Sequence, residues 1–221
     1  MTRNEKSATV GRRVAMLADV EAQRLGLADV LDTLDDAEWA TPSLCGDWTC
    51  HEVLAHLALS NRSPFVATML AMIRARGDFD RVSAEEAREY ARRFGPAELL
   101  GLLRETAGLD RKFALAGKLD PLVDVLVHGQ DILRPLGRRR AIPADLAVPS
   151  LDHVWKSPFL TIPKRFAGIR FVATDAGWSN GQGTHELRGP AGDLLLAVTG
   201  RPAGLAALDG PALADMTRRL A

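Results

Sequence analysis

Two histidines and two aspartates carry what chemistry the chain can do. His56 lies in the run Leu54-Ala55-His56-Leu57, and far downstream Asp124-Val125-Leu126-Val127-His128 sets an acid and a histidine at i,i+4. On a helix that spacing stacks Asp124 and His128 one turn apart on one face, and His56 from a second helix can complete a set of two nitrogens and one oxygen. Three protein ligands leave a zinc ion one position for water or substrate, which is what separates a catalytic from a structural site. A thiol or water held there loses its proton more readily than in solution, so the set could make a nucleophile at neutral pH. Non-haem Fe(II) oxygenation uses the same donors. Asp131 follows His128 on the same face, where it could orient an imidazole from behind or be an ordinary surface acid. Plainer alternatives stand beside these: a lone buried histidine is more often a hydrogen-bonded core residue, and an i,i+4 pair by itself is worth only ~0.2–0.5 kcal/mol. His51 should point away from the face of His56, and neither it nor His153 or His185 has a clear partner.

The elements that must position these residues are legible from periodicity. Val10, Val14, Leu17, Val20, Leu27, Val30, Leu31 and Leu34 form one apolar stripe, predicting a long helix over 9–34. Trp39 to Trp48 reads as a loop marked by Pro42 and Gly46. Thr49-Cys50-His51-Glu52 matches the capping box, so a second helix begins near Thr49 and carries His56 on its second turn. The cap also accounts for Glu52, and Trp48 reads as a hydrophobic staple or core anchor that could border the site. Ser83-Ala84-Glu85-Glu86 has the same capping pattern and Pro96 suits a first turn, giving a third helical region over 83–114 with a break near Gly95. Asp120-Pro121 opens a fourth helix of about 121–136, closed by Gly137, which carries Asp124, His128 and Asp131.

Four helices on modest loops argue for a bundle over residues 1–140. Beyond it Pro143, Pro149, Pro158 and Pro163 punctuate a connecting region, a linker of about 138–165. Ile169 to Asp175 reads as a strand, Thr184 to Gly189 and Asp193 to Gly200 as two further extended segments, and Pro211 to Leu220 as a short amphipathic helix. The expected class is therefore α+β, with a small α/β domain over 141–221. No internal repeat is visible.

Composition narrows the partners. The chain has 221 residues, 47% of them hydrophobic, enough for an ordinary globular core. Basic and acidic residues balance at 28 each, which leaves no global field to gather nucleic acid or an anionic membrane. The tight cluster Arg138-Arg139-Arg140 reads as solvated linker. No apolar run reaches the ~20 residues of a membrane span, Asn61, Arg62 and Pro64 interrupting the best stretch. The amino terminus lacks the apolar core and cleavage site of a signal peptide, so a cytoplasmic protein is expected. Cys45 and Cys50 fit neither CxxC redox chemistry nor a zinc knuckle and read as small apolar fillers. Arginine far outnumbers lysine, as in genes of high GC content, which hints at an actinobacterial source.

The segment Ser43-Leu44-Cys45-Gly46-Asp47-Trp48-Thr49-Cys50-His51-Glu52-Val53-Leu54-Ala55-His56-Leu57 resembles the mycothiol-dependent maleylpyruvate isomerase family of the DinB-like superfamily. So do Asp124 to Ile132, Pro135-Leu136-Gly137, Thr174-Asp175-Ala176-Gly177-Trp178 and the stretch Leu194 to Arg201. The resemblance spans nearly the whole chain. It implies a DinB-like four-helix bundle with a divalent metal, usually zinc though iron or nickel also suit, held at His56, Asp124 and His128. The isomerase has glutamate where this chain has Asp124, one methylene shorter, so the carboxylate could tighten the site or fall short of the metal. It further implies mycothiol as thiol cosubstrate, its thiolate adding to an activated double bond, allowing rotation and leaving again. The same thiolate could stay on an electrophile, giving an S-transferase. Arg201 falls where the family has an arginine able to hold a carboxylate bidentately, or is a plain surface arginine after a strand. The expected partners are a small-molecule substrate and a low-molecular-weight thiol, with no nucleic acid or membrane, and a monomer or homodimer. Against this enzyme stands a non-catalytic metal-binding or regulatory protein of the same fold, in which the polar trio is structural.

Overall fold

A computed structural model describes residues 3–59, 79–109 and 117–221. They form two compact units, Met1–Arg138 and Arg139–Ala221. Residues 61, 62 and 64 and the end of the third helical region lie outside the described residues.

In the first unit the elements are α1 (Arg3–Leu31), α2 (Asp36–Trp39), α3 (Cys50–Leu59), α4 (Phe79–Arg93), α5 (Pro96–Glu105) and α6 (Asp120–Leu133). α3 packs against α4, α5 and α6, while α1 packs against α5 and α6. The shared core is drawn from Leu27 and Leu31 of α1, Val53, Leu54 and Leu57 of α3, Leu99 and Leu103 of α5, and Val125, Ile132 and Leu133 of α6.

Local signals explain most helix ends. Thr49 and Glu52 form the expected capping box: the Thr49 N–H donates to the Glu52 carboxylate at 2.8 Å, and the Glu52 N–H to the Thr49 hydroxyl at 3.2 Å. Gly95 breaks α4 from α5, its N–H donating to Glu98 at 2.9 Å, with Pro96 in the first turn. Gly137 closes the helix region with φ 68, the Arg138 N–H reaching Leu133 O and the Gly137 N–H reaching Arg134 O. That pairing is a Schellman cap, which needs the left-handed residue that glycine supplies.

Two expectations fail in this unit. Ser83 is no N-cap, because α4 already runs from Phe79 and holds it in mid-helix. Val14 is 62% exposed and so leaves the apolar stripe of α1, of which Val20, Leu27 and Leu31 are buried. Between α1 and the loop marked by Pro42 and Gly46 lies the short α2, whose N-cap Asp35 makes its own capping box with Glu38.

The second unit contains α7 (Ala144–Trp155), α8 (Ile162–Arg165), β1 (Ile169–Ala173), β2 (Ser179–Asn180), β3 (His185–Gly189), α9 (Ala191–Val198), a 3-10 turn (Pro202–Ala207) and α10 (Leu213–Leu220). The sheet order is β2-β1-β3, with β2 antiparallel and β3 parallel to β1. The chain crosses from one edge to the other past the start of β1. There Gly181 and Gly183 press so closely on the main chain of Ile169 and Gly168 that a Cβ at either would collide with it.

Two segments differ from expectation. The proline-marked linker is helical over α7 even though Pro149 lies inside it and removes one backbone donor. Asp193 to Gly200 is not extended: α9 occupies Ala191–Val198. Its residues 191–192 and 194–198 are all buried, which erases the amphipathic period, and a short all-apolar run does not distinguish strand from helix.

Candidate metal centre

α3 and α6 bring His56, Asp124 and His128 together. Their ligand atoms all lie within 4.8 Å of one another. One oxygen, Oδ1 of Asp124, stands 3.1 Å from Nε2 of His56 and 3.6 Å from Nε2 of His128. Ligands about 2.0–2.1 Å from a tetrahedral zinc ion are separated by roughly 3.3 Å, so both spacings fit such an ion. The shorter aspartate is therefore long enough to join both imidazoles.

His128 is held from the opposite side. Its Nδ1 lies 2.9 Å from Oδ2 of Asp131, and the carboxylate acceptor assigns the proton to Nδ1. Asp131 is 0% exposed, which rules out a surface acid. Its main-chain carbonyl accepts from the Leu44 N–H at 3.1 Å, tying the loop before α3 to α6. The Trp48 ring on that loop lies edge-on to His56, centroids 5.4 Å apart, and stacks near-parallel to His128 at 6.4 Å. Trp48 thus borders the centre. The Cys45 thiol falls within 4.8 Å of ligand atoms of His128 and Asp131, a proximity that its assignment as an apolar filler missed.

The electrostatics match a cation site holding a proton. Burial disfavours a charged His56, yet the charge and hydrogen bond of Asp124, with the charges of Glu86 and Asp131, outweigh it and raise its pKa. For Asp124 burial also favours the neutral form, but His56, His128 and Arg24 pull its carboxyl down to about 2. Burial lowers the pKa of Arg24, opposed by Asp124. Arg24 is 1% exposed and donates to Ala107 O at 3.2 Å.

From the sequence Arg24 takes no role and Glu86 reads as the acid of the Ser83 capping pattern, although another signal exists. Arg24 interrupts the stripe Val20, Leu27, Leu31, and Glu86 falls between Val82 and Tyr90 on α4. A charge at a core position of a helix is unusual enough to be read as functional. Of the other histidines, His51 is turned away from the centre, its Nε2 3.1 Å from Phe94 O, which supplies the partner the sequence did not reveal. Cys50 is fully buried, and burial pushes its thiol up to about 11. Arg201 belongs to the second unit, where its Nη1 donates to Thr199 O at 2.8 Å.

Residues 20–117 match the model of the mycothiol maleylpyruvate isomerase N-terminal domain, a span that includes His56 and ends before Asp124. No curated protein matches the chain in sequence. In fold the chain is similar to a crystal structure of the mycothiol-dependent maleylpyruvate isomerase, with TM-score 0.60 and 14% identity over 91% of this chain and 92% of that one. A histidine-to-alanine mutant of that isomerase gives TM-score 0.61 and 13% identity over the same shares. Residues 20–117 thus carry the mycothiol maleylpyruvate isomerase N-terminal domain, and the chain, an α+β protein with a helical amino-terminal unit and a small three-stranded sheet, shares its fold with the mycothiol-dependent maleylpyruvate isomerase.

Proposed function

We propose that the protein is a divalent-metal-dependent enzyme that uses a low-molecular-weight thiol, mycothiol, on a small electrophilic substrate, with His56, Asp124 and His128 as ligands. The observation that carries this is the convergence of those three donors at the spacing of a tetrahedral ion, with His128 oriented by a buried acid. Two nitrogens and one oxygen suit zinc, and also iron or nickel. When bound, the ion supplies an open position at which a thiol is held as thiolate at neutral pH.

The chain's own residues do the rest. Asp131 fixes the His128 tautomer so that Nε2 faces Asp124, Asp124 joins both imidazoles, and Trp48 presents a flat apolar wall beside them. A thiolate there can add reversibly to an activated double bond, giving cis–trans isomerisation, or remain on the electrophile as an S-transferase. Arg201 is the proposed anchor for a substrate or cofactor carboxylate. Among the described residues no helix is long and apolar enough to cross a membrane, and a cytoplasmic setting suits a thiol cosubstrate.

The test is metal content, by elemental analysis of protein purified without an affinity tag or added metal, beside His56→Ala and His128→Ala. About one equivalent in the parent, lost in both variants, supports the centre and justifies titrating mycothiol against it. A parent that takes up no ion even after incubation with Zn²⁺ removes the metal-dependent enzyme and leaves a non-catalytic protein of the same fold.

A further inference from the structure

The imidazole of His128 belongs to two groups of metal-ligating atoms. In one it meets His56 and Asp124. In the other it meets Asp131 and the Cys45 thiol, again with every ligand atom within 4.8 Å of the others. The two groups use different edges of the ring, because Nε2 faces Asp124 at 3.6 Å and Nδ1 faces Oδ2 of Asp131 at 2.9 Å. The metal centre proposed above uses Nε2 and gives Cys45 no part.

The main chain brings Cys45 there. The Leu44 N–H donates to the Asp131 carbonyl at 3.1 Å, the Cys45 N–H to the Ser43 hydroxyl at 3.0 Å, and the Trp48 N–H to the Cys45 carbonyl at 3.1 Å. Gly46, with φ 55, makes the turn between Cys45 and Trp48. The backbone on both sides of the thiol is therefore fixed to α6 or to its own turn, and a ligand placed in advance loses less freedom on binding. Cys45 forms no disulfide and is half-buried, whereas Asp131 is fully buried. Thiolate, imidazole and carboxylate suit Zn²⁺ and other thiophilic ions such as Co²⁺, while Mg²⁺ and Ca²⁺ take oxygen ligands.

We propose that Cys45, His128 and Asp131 form a second cation site, for a thiophilic divalent ion, on the Nδ1 edge of the His128 ring. The ion replaces the Nδ1 proton that Asp131 accepts and the proton of the Cys45 thiol, and both protons leave to solvent. Nitrogen and oxygen ligands of a tetrahedral ion stand roughly 3.3 Å apart, so the 2.9 Å pair opens by about 0.4 Å to admit it. Breaking that hydrogen bond and releasing those protons make this the weaker site, filled by added ion after the first. His128 is the ligand the two sites share, so removing His56 leaves the second set of donors intact.

The test is a Co²⁺ titration of the full chain, metal-free at the start, followed by visible and near-ultraviolet absorption, for parent, Cys45→Ser, Cys45→Ala and His56→Ala. A thiolate on Co²⁺ gives a near-ultraviolet charge-transfer band that nitrogen and oxygen ligands do not. The parent should take up two ions, with the band rising as the second binds. His56→Ala should take up one ion and show the band. Both Cys45 variants should take up one ion without it, at metal-free melting temperatures close to the parent's. A parent with no such band, or a band that survives in both Cys45 variants, overturns the site. So does a single ion in the parent whose band is lost in His56→Ala as well, which would make Cys45 a ligand of the first centre. Failure of the first centre alone reads differently, because parent and His56→Ala would then each take up one ion with the band, and the Cys45 site would stand.

Discussion

Asp131 grips His128 by the nitrogen that faces away from the centre, at 2.9 Å, and thereby leaves Nε2 turned toward Asp124. Because Asp131 is fully buried, its charge is worth most where it is and cannot be replaced by water. Asp131→Asn should weaken Zn²⁺ binding by about 10- to 100-fold, the usual cost of losing an outer carboxylate. Chelator competition measures it, and an unchanged affinity would show that the ring is held by packing alone.

The pair His56 and Asp124 makes the metal-free protein sensitive to pH on both sides. Burial opposes charge on His56, but Asp124 wins and its pKa is raised. The stability this contributes is complete below the unfolded value of about 6.5 and is lost as pH rises through the raised folded value. Asp124, drawn down to about 2 from 3.8, contributes stability above its unfolded value and loses it as pH falls toward 2. Melting temperatures of metal-free protein should be flat from about pH 4 to 6.5 and fall above it, and Asp124→Asn should flatten the alkaline fall. A parent that gains stability between those limits and mild alkali contradicts the assignment.

Gly129, next to His128, lets α6 approach α1. A Cβ there would lie 3.3 Å from both terminal methyls of Leu27, which is itself fully buried. Gly129→Val forces a branched side chain into that contact and should destabilise by about 1–3 kcal/mol, the range for overpacking a core. Denaturant unfolding reads it directly. A neutral result would mean the two helices slide apart at little cost.

The Cys50 thiol, raised to about 11 by burial, is almost wholly protonated near neutrality. Native protein at mild alkaline pH should therefore leave Cys50 unlabelled by iodoacetamide, and denatured protein should take it up. Peptide mapping by mass spectrometry decides, and rapid native labelling of Cys50 would show that α3 opens readily.

The bundle was legible because its signals are local. Thr49 with Glu52, Gly95 with Pro96, and Gly137 each act within one turn, so reading neighbours is enough to place α3, the break before α5 and the end of the α6 region. That Asp124 and His128 stand together was legible for the same reason, since they share a helix face, while His56 reaches them from another helix. What stayed hidden depends on tertiary context. α9 is buried on every side and has lost the period by which a helix is recognised, and α7 tolerates Pro149 within a helix. Arg24 and Glu86 matter through what the other helices place against them, and no spacing within α1 or α4 specifies that partner.

The Leu44 N–H to Asp131 carbonyl bond gives one residue two duties, because the same aspartate whose side chain steers His128 also fixes the main chain of the loop leading into α3. That loop is closed on itself by the Pro42–Thr49 bridge and by Cys50 N–H to Thr41 O. Copying His56, Asp124 and His128 onto another bundle would therefore transplant three side chains without the frame that aims them. The smallest portable unit runs from Thr41 through His56 on one side and from Asp124 through Asp131 on the other, and a designer who moves less should recover the three side chains without their mutual spacing.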